Sequence, residues 1–415
     1  MIALIALCLA QGDSVTWTRD VAPIVYENCL SCHRDGEVAP FALETYADVK
    51  KRARQIELAT RLRLMPVWKP EPGWGDFVGA RRLTDAQIAT IKRWVDGGCV
   101  EGDPAHLPRK SAFNDGWALG TPDLVVRMPE AFTVPAEGRD VYRNFVLPLG
   151  LKQDRHVRAA QYRPSNRRVV HHALLFLDAT DGSRRRDEQD TGPGFSGFSP
   201  SAVSGGGLGG WAPGAEAQPL PDGVGKLVKA GSDLILQLHL HPSGKEEKEQ
   251  SEVGLYFCRD APSRQAAMLP LLERRIDIPP GEKEYTIERS FVAPVDFELI
   301  GVAPHAHYLA RTMKVWMTDA RGKETPLLWI KDWDFDWQGQ YRYREPVRVP
   351  KGARVSMVFT YDNSADNPRN PARPPARVRW GEQTSDEMAI TFLQIVPASQ
   401  SDLLRLVAAA LVRRR

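Results

Sequence analysis

The spacing of apolar residues separates an N-terminal part with helical periodicity from a longer part with strand periodicity. In the first part, one helix face is marked by Ile88, Ile91, Trp94 and Val95. A capping box of Thr84 and Gln87 predicts where this helix begins, and Gly97 with Gly98 predicts where it ends. An earlier helix is expected over residues 46–61.

After residue 104 the apolar residues occur in short, β-branched or alternating runs separated by Gly, Pro, Asn and Asp. The candidate strands are residues 169–177, 233–241, 253–257, 297–302, 313–317, 354–361 and 388–396. Many short strands without long helices between them favour β-sandwiches. The glycine-rich run 205–210 is expected to be a flexible surface loop, because no strand-to-helix switch surrounds it.

Composition and charge narrow the function classes. The chain has 415 residues, enough for roughly two to four compact units, and 42% of them are hydrophobic. Its 55 Lys and Arg against 52 Asp and Glu give a formal charge of +3. This small charge does not indicate the strongly basic surface that is typical of nucleic-acid-binding proteins. The basic run 184–186 is expected to be a solvated loop, and the tail 403–415 a short amphipathic helix docked on its own domain.

The N-terminus predicts export. Residues 2–10 are apolar and end in Cys8, Leu9 and Ala10, which fits a signal-peptide core followed by a small-residue cleavage site. Nine apolar residues are too few to span a bilayer, so no membrane-spanning segment is expected. We predict a signal peptide over residues 1–12, with a short N-terminal core strand as the alternative.

Residues 29–33 have the sequence Cys-Leu-Ser-Cys-His, a motif with a specific cofactor chemistry. The thiols of Cys29 and Cys32 can each bond a haem vinyl group, and His33 can then ligate the iron. Met65, in a loop after the second predicted helix, is the expected sixth ligand, and His/Met ligation favours electron transfer. A zinc or redox Cys-x-x-Cys is the competing interpretation, although only one such pair is present.

The other cysteines do not form a disulfide framework. Cys8 would leave with the signal peptide, so Cys99 and Cys258 remain, in different predicted domains. We expect both to be unpaired, with an interdomain disulfide as the alternative.

Six histidines form three tight groups in the β part: His171 with His172, His239 with His241, and His305 with His307. In a strand, residues two apart face the same side, so the last pair can grip one metal ion without distortion. The adjacent first pair can do so only where the strand ends or bulges. The alternative is that each group packs or hydrogen-bonds locally.

The donor types favour copper. Imidazole ligands with an added thioether suit Cu(I), whereas zinc and iron sites seldom use methionine sulfur. Met388 is the preferred thioether ligand. Met313 and Met317 also lie near the last histidine pair, and spacing alone does not decide among the three.

Four segments of the chain together resemble the copper type II, ascorbate-dependent monooxygenases, the family of peptidylglycine α-hydroxylating monooxygenase and dopamine β-monooxygenase. The resemblance spans residues 121–397. It is carried, in the family's order, by Val-His-His at 170–172, Leu-Gln-Leu-His at 236–239, Pro-His-Ala-His at 304–307 and Thr-Ser-Asp-Glu-Met at 384–388.

The resemblance implies two separate coppers between two β-sandwich domains. The implied ligands of the electron-donating copper are His171, His172 and His239. The implied ligands of the copper that activates oxygen, which form the catalytic set, are His305, His307 and Met388. Gln237 would help connect the donor copper to the substrate side, and His241 becomes a bystander.

The first part resembles the small c-type cytochrome domains found fused ahead of bacterial members, so its haem would replace or supplement ascorbate or another external reductant. The predicted fold is thus multidomain, a small all-α cytochrome c domain followed by two all-β, jelly-roll-like sandwich domains. The predicted divisions are a signal peptide at 1–12, the cytochrome domain at 13–108, the N-terminal sandwich at 109–285, the C-terminal sandwich at 286–400 and a tail at 401–415.

Two departures from the family's pattern bear on the substrate. Peptide-hydroxylating members carry an Arg two residues before the His-x-His pair and a Tyr four residues after the Met, and both help hold the peptide carboxylate. This chain has Ala303 and Phe392 at those positions. A C-terminal peptide carboxylate is therefore not expected, and a less polar substrate fits Phe392 better.

The sequence thus predicts an exported monooxygenase of the bacterial periplasm or cell envelope. It would hydroxylate a C–H bond of a small organic substrate with O2, using two copper ions and a covalent haem c that a periplasmic donor reduces. Two alternatives stay open: a non-catalytic haem and copper electron carrier, and a β-sandwich binding module whose histidines are structural.

Overall fold

The computed structural model describes residues 14–110, 116–197, 206–215, 217–381 and 383–411. The predicted signal peptide, with Cys8, lies outside these residues. The described chain forms two compact units, one from residues 14–68 and 80–110 and the other from residues 69–79 and everything after 115.

The first unit is built from short helices around an apolar core. A π-helical turn at Trp17–Val21 leads into the first α-helix, and a 3₁₀ turn lies at Pro104–His106. The α-helices are α1 (Ala22–Asn28), α2 (Tyr46–Lys51), α3 (Ala53–Arg61) and α4 (Asp85–Asp96). The Trp17 ring lies 5.9 Å from Tyr26 and 6.2 Å from Trp94, so the core joins the first turn to α4.

The two predicted helices have different outcomes. The helix beginning after Thr84 is confirmed, with the predicted capping box to Gln87. The single helix over 46–61 is wrong, because the chain breaks at Arg52, whose φ of −117° and ψ of 13° lie outside the helical region. The Arg52 guanidinium lies 3.7 Å from the Phe41 ring centroid, and this cation–π contact accompanies the break.

The second unit consists of β-sheets with two further helices, α5 (Gly182–Gln189) and α6 (Gln400–Leu411). The strands of its first half are β1 (Leu124–Arg127), β2 (Phe132–Val134), β3 (Val141–Pro148), β4 (Arg155–Arg163), β5 (Val170–Asp178), β6 (Phe195–Ser196), β7 (Gly206–Trp211), β8 (Val224–Val228), β9 (Asp233–Leu240), β10 (Glu247–Glu249), β11 (Glu252–Phe257) and β12 (Arg264–Gln265). The strands of its second half are β13 (Ala267–Leu272), β14 (Asp277–Ile278), β15 (Tyr285–Val292), β16 (Phe297–His305), β17 (Ala310–Thr318), β18 (Glu324–Ile330), β19 (Tyr341–Val349), β20 (Arg354–Tyr361), β21 (Val378–Arg379) and β22 (Ile390–Pro397).

The first half forms two five-stranded sheets, ordered β1-β11-β4-β8-β12 and β6-β3-β9-β5-β7. Buried side chains of both sheets, such as Val157 on β4 and Leu236 on β9, belong to one apolar core. This packing is that of a β-sandwich, since each sheet buries one face against the other. The strand-rich prediction is confirmed, and each of the seven predicted strands is present, with ends that match the structure or differ from it by at most three residues.

The second half forms two four-stranded sheets, ordered β13-β22-β16-β19 and β15-β20-β17-β18. The predicted boundary between 285 and 286 falls inside this half, because β13 pairs with β22 and β14 pairs with β21. Residues 69–79 also pack here, where the Glu71 N–H donates to the Trp329 carbonyl at 2.7 Å. The predicted range 13–108 therefore includes a segment that belongs to the β unit.

Three loop and tail predictions are settled by the structure. The glycine run is not a loop, because residues 206–211 form β7, an edge strand paired with β5. The basic run 184–186 lies in α5, where Arg184 pairs with Asp233 at 2.6 Å. The tail helix is confirmed as α6, and Arg289 donates to the Ala410 carbonyl at 2.8 Å. In the described part of the chain, no helix is long and apolar enough to cross a membrane.

Candidate metal centres and haem site

Three of the predicted histidine ligands converge between β5 and β9. The two strands are neighbours, and His172 pairs directly with His239. The register shifts between Val170 and His172, which is the bulge that adjacent histidines need to face one site. His171 therefore joins the other two, and the ligand nitrogens of all three lie within 4.8 Å of one another.

The Nδ1 atoms face one another in this three-histidine group. Nδ1 of His172 lies 3.2 Å from Nδ1 of His171 and 3.4 Å from Nδ1 of His239. Nε2 of His171 is buried and has no hydrogen-bond partner among the described residues, and Asp336 Oδ1 lies 3.6 Å away. Three imidazoles at this spacing fit a single metal ion.

Burial keeps two of these imidazoles neutral. It lowers the pKa of His171 to about 4, and positive charge on His239 would add to this effect. Burial also lowers the pKa of His172 well below 6.5. Neutral imidazoles retain the lone pair that a metal ion needs, so His171 and His172 are ready to bind one near pH 7.

Asp140, which was not predicted from the sequence, contacts two histidines of the β9 segment. Nε2 of His239 donates to one carboxylate oxygen at 2.7 Å, and Nδ1 of His241 donates to the other at 2.7 Å. Burial alone would raise the pKa of Asp140, but the hydrogen bonds and charges of both histidines outweigh it and hold the pKa at about 2. His241 is exposed, yet it shares this carboxylate with a predicted ligand.

The second histidine group forms where β16 ends beside the start of β22. His305, the last residue of β16, pairs with Ile390, the first residue of β22. Beyond these strand ends, His307 contacts the segment just before β22, because its N–H donates to Glu387 at 2.8 Å and its Nδ1 donates to the Asp386 carbonyl at 3.0 Å. Both histidines and Met388 are buried.

The pairing of β16 with β22 helps to choose among the three methionines that the sequence offered as the thioether ligand. Met388 stands two residues before the partner of His305. Met313 and Met317 lie on β17, in the other sheet of this sandwich. The structure therefore favours Met388 as the thioether beside this histidine pair.

Glu387 links the two segments of the second group. One of its carboxylate oxygens accepts from the backbone N–H of His307 at 2.8 Å and from that of Met388 at 3.0 Å. The other oxygen accepts from the Leu309 N–H at 2.7 Å. Burial raises the pKa of Glu387 to about 8 against the opposing effect of these donors.

Hydrogen bonds at Nδ1 orient both histidines of the second group. Nδ1 of His305 donates to Oε1 of Gln338 at 2.6 Å, and Nδ1 of His307 donates to the Asp386 carbonyl at 3.0 Å. Each ring would therefore bind a metal ion through Nε2. Burial lowers the pKa of His305 to about 3 and that of His307 to about 4, so both are neutral near pH 7.

The 331–340 connection between β18 and β19 lies near both histidine groups. The Phe335 ring centroid is 5.9 Å from that of His239 and 5.8 Å from that of His307. The two imidazoles are therefore no further apart than the sum of these two distances. Phe335 was not predicted from the sequence.

A cavity of about 410 Å³ opens beside Phe335. Its lining residues are Tyr308, Asp334, Phe335, Asp336, Pro368, Arg369 and Pro371. Tyr308 directly follows His307, and its ring centroid lies 4.5 Å from that of Phe335. The cavity is thus lined by the residue that follows His307 and by the residue next to Asp336 on the 331–340 connection, and its size suits an organic molecule.

Gln237 lies on the same face of β9 as His239. Its Nε2 donates to Oδ1 of Asn144 at 2.9 Å. Its Oε1 is buried without a hydrogen-bond partner in the described part of the chain. The predicted connecting role of Gln237 stays a prediction.

The residues of the haem motif follow α1. Cys29 caps this helix, and Nδ1 of His33 donates to the Phe41 carbonyl at 3.0 Å, which would direct Nε2 toward an iron. Burial, with a further contribution from Cys32, raises the pKa of Cys29 to about 12.

Met65 follows α3 in a surface segment rich in exposed apolar side chains. Its side chain is 41% exposed. The neighbouring exposed residues are Leu58, Leu62 and Leu64. An apolar surface of this kind fits a flat apolar cofactor such as a porphyrin.

Cys99 and Cys258 are free thiols. Cys99 is buried in the first unit, and Cys258 lies in the second. The expectation that both are unpaired is confirmed.

Comparisons with known proteins identify no family. No family model matches this sequence, and no curated protein matches it. Among solved structures, the major capsid protein P2 of bacteriophage PM2 is 9% identical with a TM-score of 0.25, covering 62% of this chain and 97% of its own. The VP2 subviral particle of infectious bursal disease virus is 8% identical with a TM-score of 0.20, covering 66% and 71%. At these TM-scores neither similarity carries an argument about this chain.

Proposed function

We propose that this protein is an exported copper-dependent monooxygenase that inserts oxygen into a C–H bond of an organic substrate. One observation carries the proposal. A single β unit holds a three-imidazole group and a separate pair of imidazoles next to a buried methionine, with Phe335 close to both. Structural histidines alone would not require two such different donor sets.

The donor sets fit copper better than other metals. Imidazole nitrogens suit several transition metals, but a thioether beside them favours Cu(I). Bound copper would supply one-electron redox chemistry at both groups and a site for O2 at the group that includes Met388.

The chain's own contacts arrange the ligands before a metal binds. Asp140 and Gln338 each hold one imidazole by a hydrogen bond, the Asp386 carbonyl holds another, and Glu387 joins the backbone of the second group. Contacts of this kind fix the tautomer and the direction of a ligand. The two groups are therefore preorganised for metal binding.

The expected substrate is organic and carries no carboxylate recognised by this site. Ala303 and Phe392 are direct partners on β16 and β22, so no arginine or tyrosine is present at this cross-strand pair. The cavity beside Phe335 is large enough for an organic molecule, and Phe335 itself lies 5.8 Å from the His307 ring.

The first unit is proposed to be a cytochrome c domain that delivers electrons. Cys29 and Cys32 would attach the haem, with His33 and Met65 as its axial ligands. Inserting one atom of O2 and reducing the other to water takes two electrons and two protons beyond those of the substrate. A single haem must therefore cycle twice per turnover, with ascorbate or a periplasmic donor as the ultimate reductant. Haem of this kind would be attached after export, so the proposal includes a location in the periplasm or cell envelope.

The deciding experiment follows the haem after O2 is added to reduced, copper-loaded protein. Haem reoxidation should require copper and should be faster with substrate present. Reoxidation that does not need copper would contradict the proposed link between the two units. Copper binding without substrate-dependent O2 uptake would instead indicate an electron carrier, and no copper binding would indicate a binding module.

Met388→Leu tests the proposed oxygen site, because it removes the sulfur and keeps the side-chain volume. We expect lower copper content at the second group and loss of substrate-dependent O2 uptake. Met313→Leu is the matched control, since Met313 is equally buried but lies on the other sheet. Equal effects of the two substitutions would contradict the assignment of Met388.

A further inference from the structure

The Asp140 carboxylate joins an inner and an outer histidine. The His239 side chain is 1% exposed, whereas that of His241 is 65% exposed. Each donates to a different oxygen of Asp140 at 2.7 Å. One carboxylate thus connects a predicted metal ligand to the protein surface.

Strand pairing brings these three side chains together. Val141 on β3 pairs with Leu240 on β9, and one further step along this register places Asp140 opposite His241. His239 is two residues from His241 and faces the same side of the strand. The contact therefore forms one residue beyond the paired ends of β3 and β9, where the two chains are held side by side.

The hydrogen bond to Asp140 determines which nitrogen of His239 is available. Because Nε2 carries the proton that Asp140 accepts, Nδ1 holds the lone pair of the neutral ring. That Nδ1 is the atom 3.4 Å from Nδ1 of His172. The His239 ring is also stacked on Tyr142, with centroids 4.3 Å apart and an interplanar angle of 13°.

We propose that Asp140 is the positioning residue of the three-histidine site and that His241 is its outer support. Asp140 holds His239 as the Nε2–H tautomer with Nδ1 toward the metal, and His241 holds the carboxylate in place. The role for metal binding rests on the function proposed above, whereas the tautomer is a property of the metal-free protein.

The first test uses the metal-free, full-length protein with ¹⁵N-labelled histidine. Imidazole ¹⁵N spectra should show His239 as the Nε2–H tautomer, and Asp140→Ala should convert it to a mixture or to Nδ1–H. Asp140→Asn should largely keep the tautomer, because its amide oxygen still accepts the hydrogen bond. An unchanged tautomer in Asp140→Ala would overturn the proposal.

The second test measures Cu(II) affinity by competition with a chelator, together with the EPR signal of the three-histidine site. Loss of an outer carboxylate partner typically weakens metal binding roughly 10- to 100-fold. We expect a loss of this size for Asp140→Ala, a smaller one for Asp140→Asn and the smallest for His241→Gln. We also expect the EPR parameters to change in that order.

Asp154→Asn is the matched control. Asp154 is an exposed carboxylate of the same sandwich that pairs with Lys229 at 2.7 Å and contacts no histidine ligand among the described residues. Its substitution should leave copper affinity and the EPR signal unchanged. Equal losses in the Asp154 and Asp140 variants would overturn the positioning role. One outcome separates the two proposals. If His239 has the Nε2–H tautomer in the wild type and loses it in Asp140→Ala, but the protein binds no copper, the proposed function fails and the positioning of His239 by Asp140 stands.

Discussion

The Glu387 carboxylate accepts hydrogen bonds from backbone groups of two different ligand-bearing segments. One oxygen of Glu387 accepts both from the His307 N–H and from the Met388 N–H. The side chain is fully buried, so water cannot replace a lost acceptor. Glu387 therefore supports the second histidine group through the backbone.

Glu387→Gln is expected to destabilise the protein and weaken metal binding at the second group. The amide nitrogen of Gln must face either the two N–H donors of His307 and Met388 or the donor of Leu309. Each unsatisfied buried donor costs about 1–3 kcal/mol. Urea unfolding and metal titration measure the two effects. The control is Glu345→Gln, at an exposed position of β19, and comparable losses there would contradict the assigned role.

The buried histidines are expected to make the metal-free protein less stable in acid. Their folded pKa values, about 3 for His305 and about 4 for His171 and His307, lie below the ordinary 6.5. As pH falls below 6.5, the unfolded chain takes up protons that the folded chain does not, so stability is lost between about pH 6.5 and pH 3 to 4. Each of these histidines contributes on the order of a few kcal/mol.

Denaturant unfolding of wild type and His305→Gln at several pH values checks this dependence. The variant should lose less stability between pH 7 and pH 5. Glu387, with its raised pKa, acts in the opposite direction, losing stability as pH rises from 4.5 toward 8. The test therefore compares the pH dependence of the free energy of unfolding between wild type and His305→Gln, since Glu387 is present in both proteins. The control is His106→Gln, at an exposed position, which should show the same pH dependence of unfolding as wild type. If the pH dependence of His305→Gln were also parallel to that of wild type, the expectation would be refuted.

At the scale of single residues, the sequence indicated the candidate ligands but not the residues that orient their side chains. Histidine and methionine are recognisable by type and by strand spacing. Asp140 lies 99 positions from His239, and Gln338 lies 33 positions from His305. No local pattern joins such pairs, because strand register alone brings them together. Glu387 was more accessible, since it stands directly beside a predicted ligand.

Among the elements, β7 lies beside the strand that carries His171 and His172. It is an edge strand made largely of glycine, and Gly210 pairs with Leu174 of β5. A Cβ atom at Gly210 would lie 2.6 Å from the Ala173 carbonyl oxygen and would also meet the Gln340 side chain. Glycine here permits close approach of neighbouring groups.

Gly210→Ala is expected to destabilise the first sandwich by about 1–3 kcal/mol, because the added methyl overlaps backbone atoms that cannot move freely. Gly207→Ala on the same strand is the control, since the nearest backbone atom would be 3.8 Å from its Cβ. Thermal unfolding of both variants measures the difference. Similar destabilisation in both would show that chain entropy, and not the close approach at Gly210, explains glycine in β7.

Strands with β-branched or alternating residues were predicted well, whereas β7 was not. The alternation of apolar and polar residues in β9 identifies a strand, although both faces of that strand are buried in the fold. Glycine carries no such signal and is common in turns, so its run was assigned to a loop. The break at Arg52 was invisible for a similar reason, because residues on both sides favour helix.

For the molecule as a whole, copper removal is expected to affect the two units differently. A ligand that binds only the folded state stabilises it by about 2.7 kcal/mol at a free concentration 100 times its Kd. Copper should therefore raise the unfolding temperature of the β unit, and a chelator should reverse this. The haem absorption band, which reports on the first unit, should lose its signal at the same temperature with and without chelator. A shift of both signals by the same amount would contradict metal binding confined to the β unit.

The division into a helical part and a β part was visible in the sequence, but its boundary was not. Residues 69–79 carry no clear periodicity, and their partners, such as Trp329, come much later in the chain. β13 similarly precedes the predicted boundary and joins the second half through β22. Long-range pairing decides such boundaries, and a local pattern cannot report it.

The 331–340 connection has a consequence for how this protein can be altered. One continuous stretch provides Phe335 between the two histidine groups and Gln338 on His305, while it also joins strands of two different sheets. An insertion or deletion there would disturb both groups at once, even though no ligand is touched. Replacing residues 331–340 by other sequences of equal length is therefore a way to change the surroundings of both histidine groups in one step.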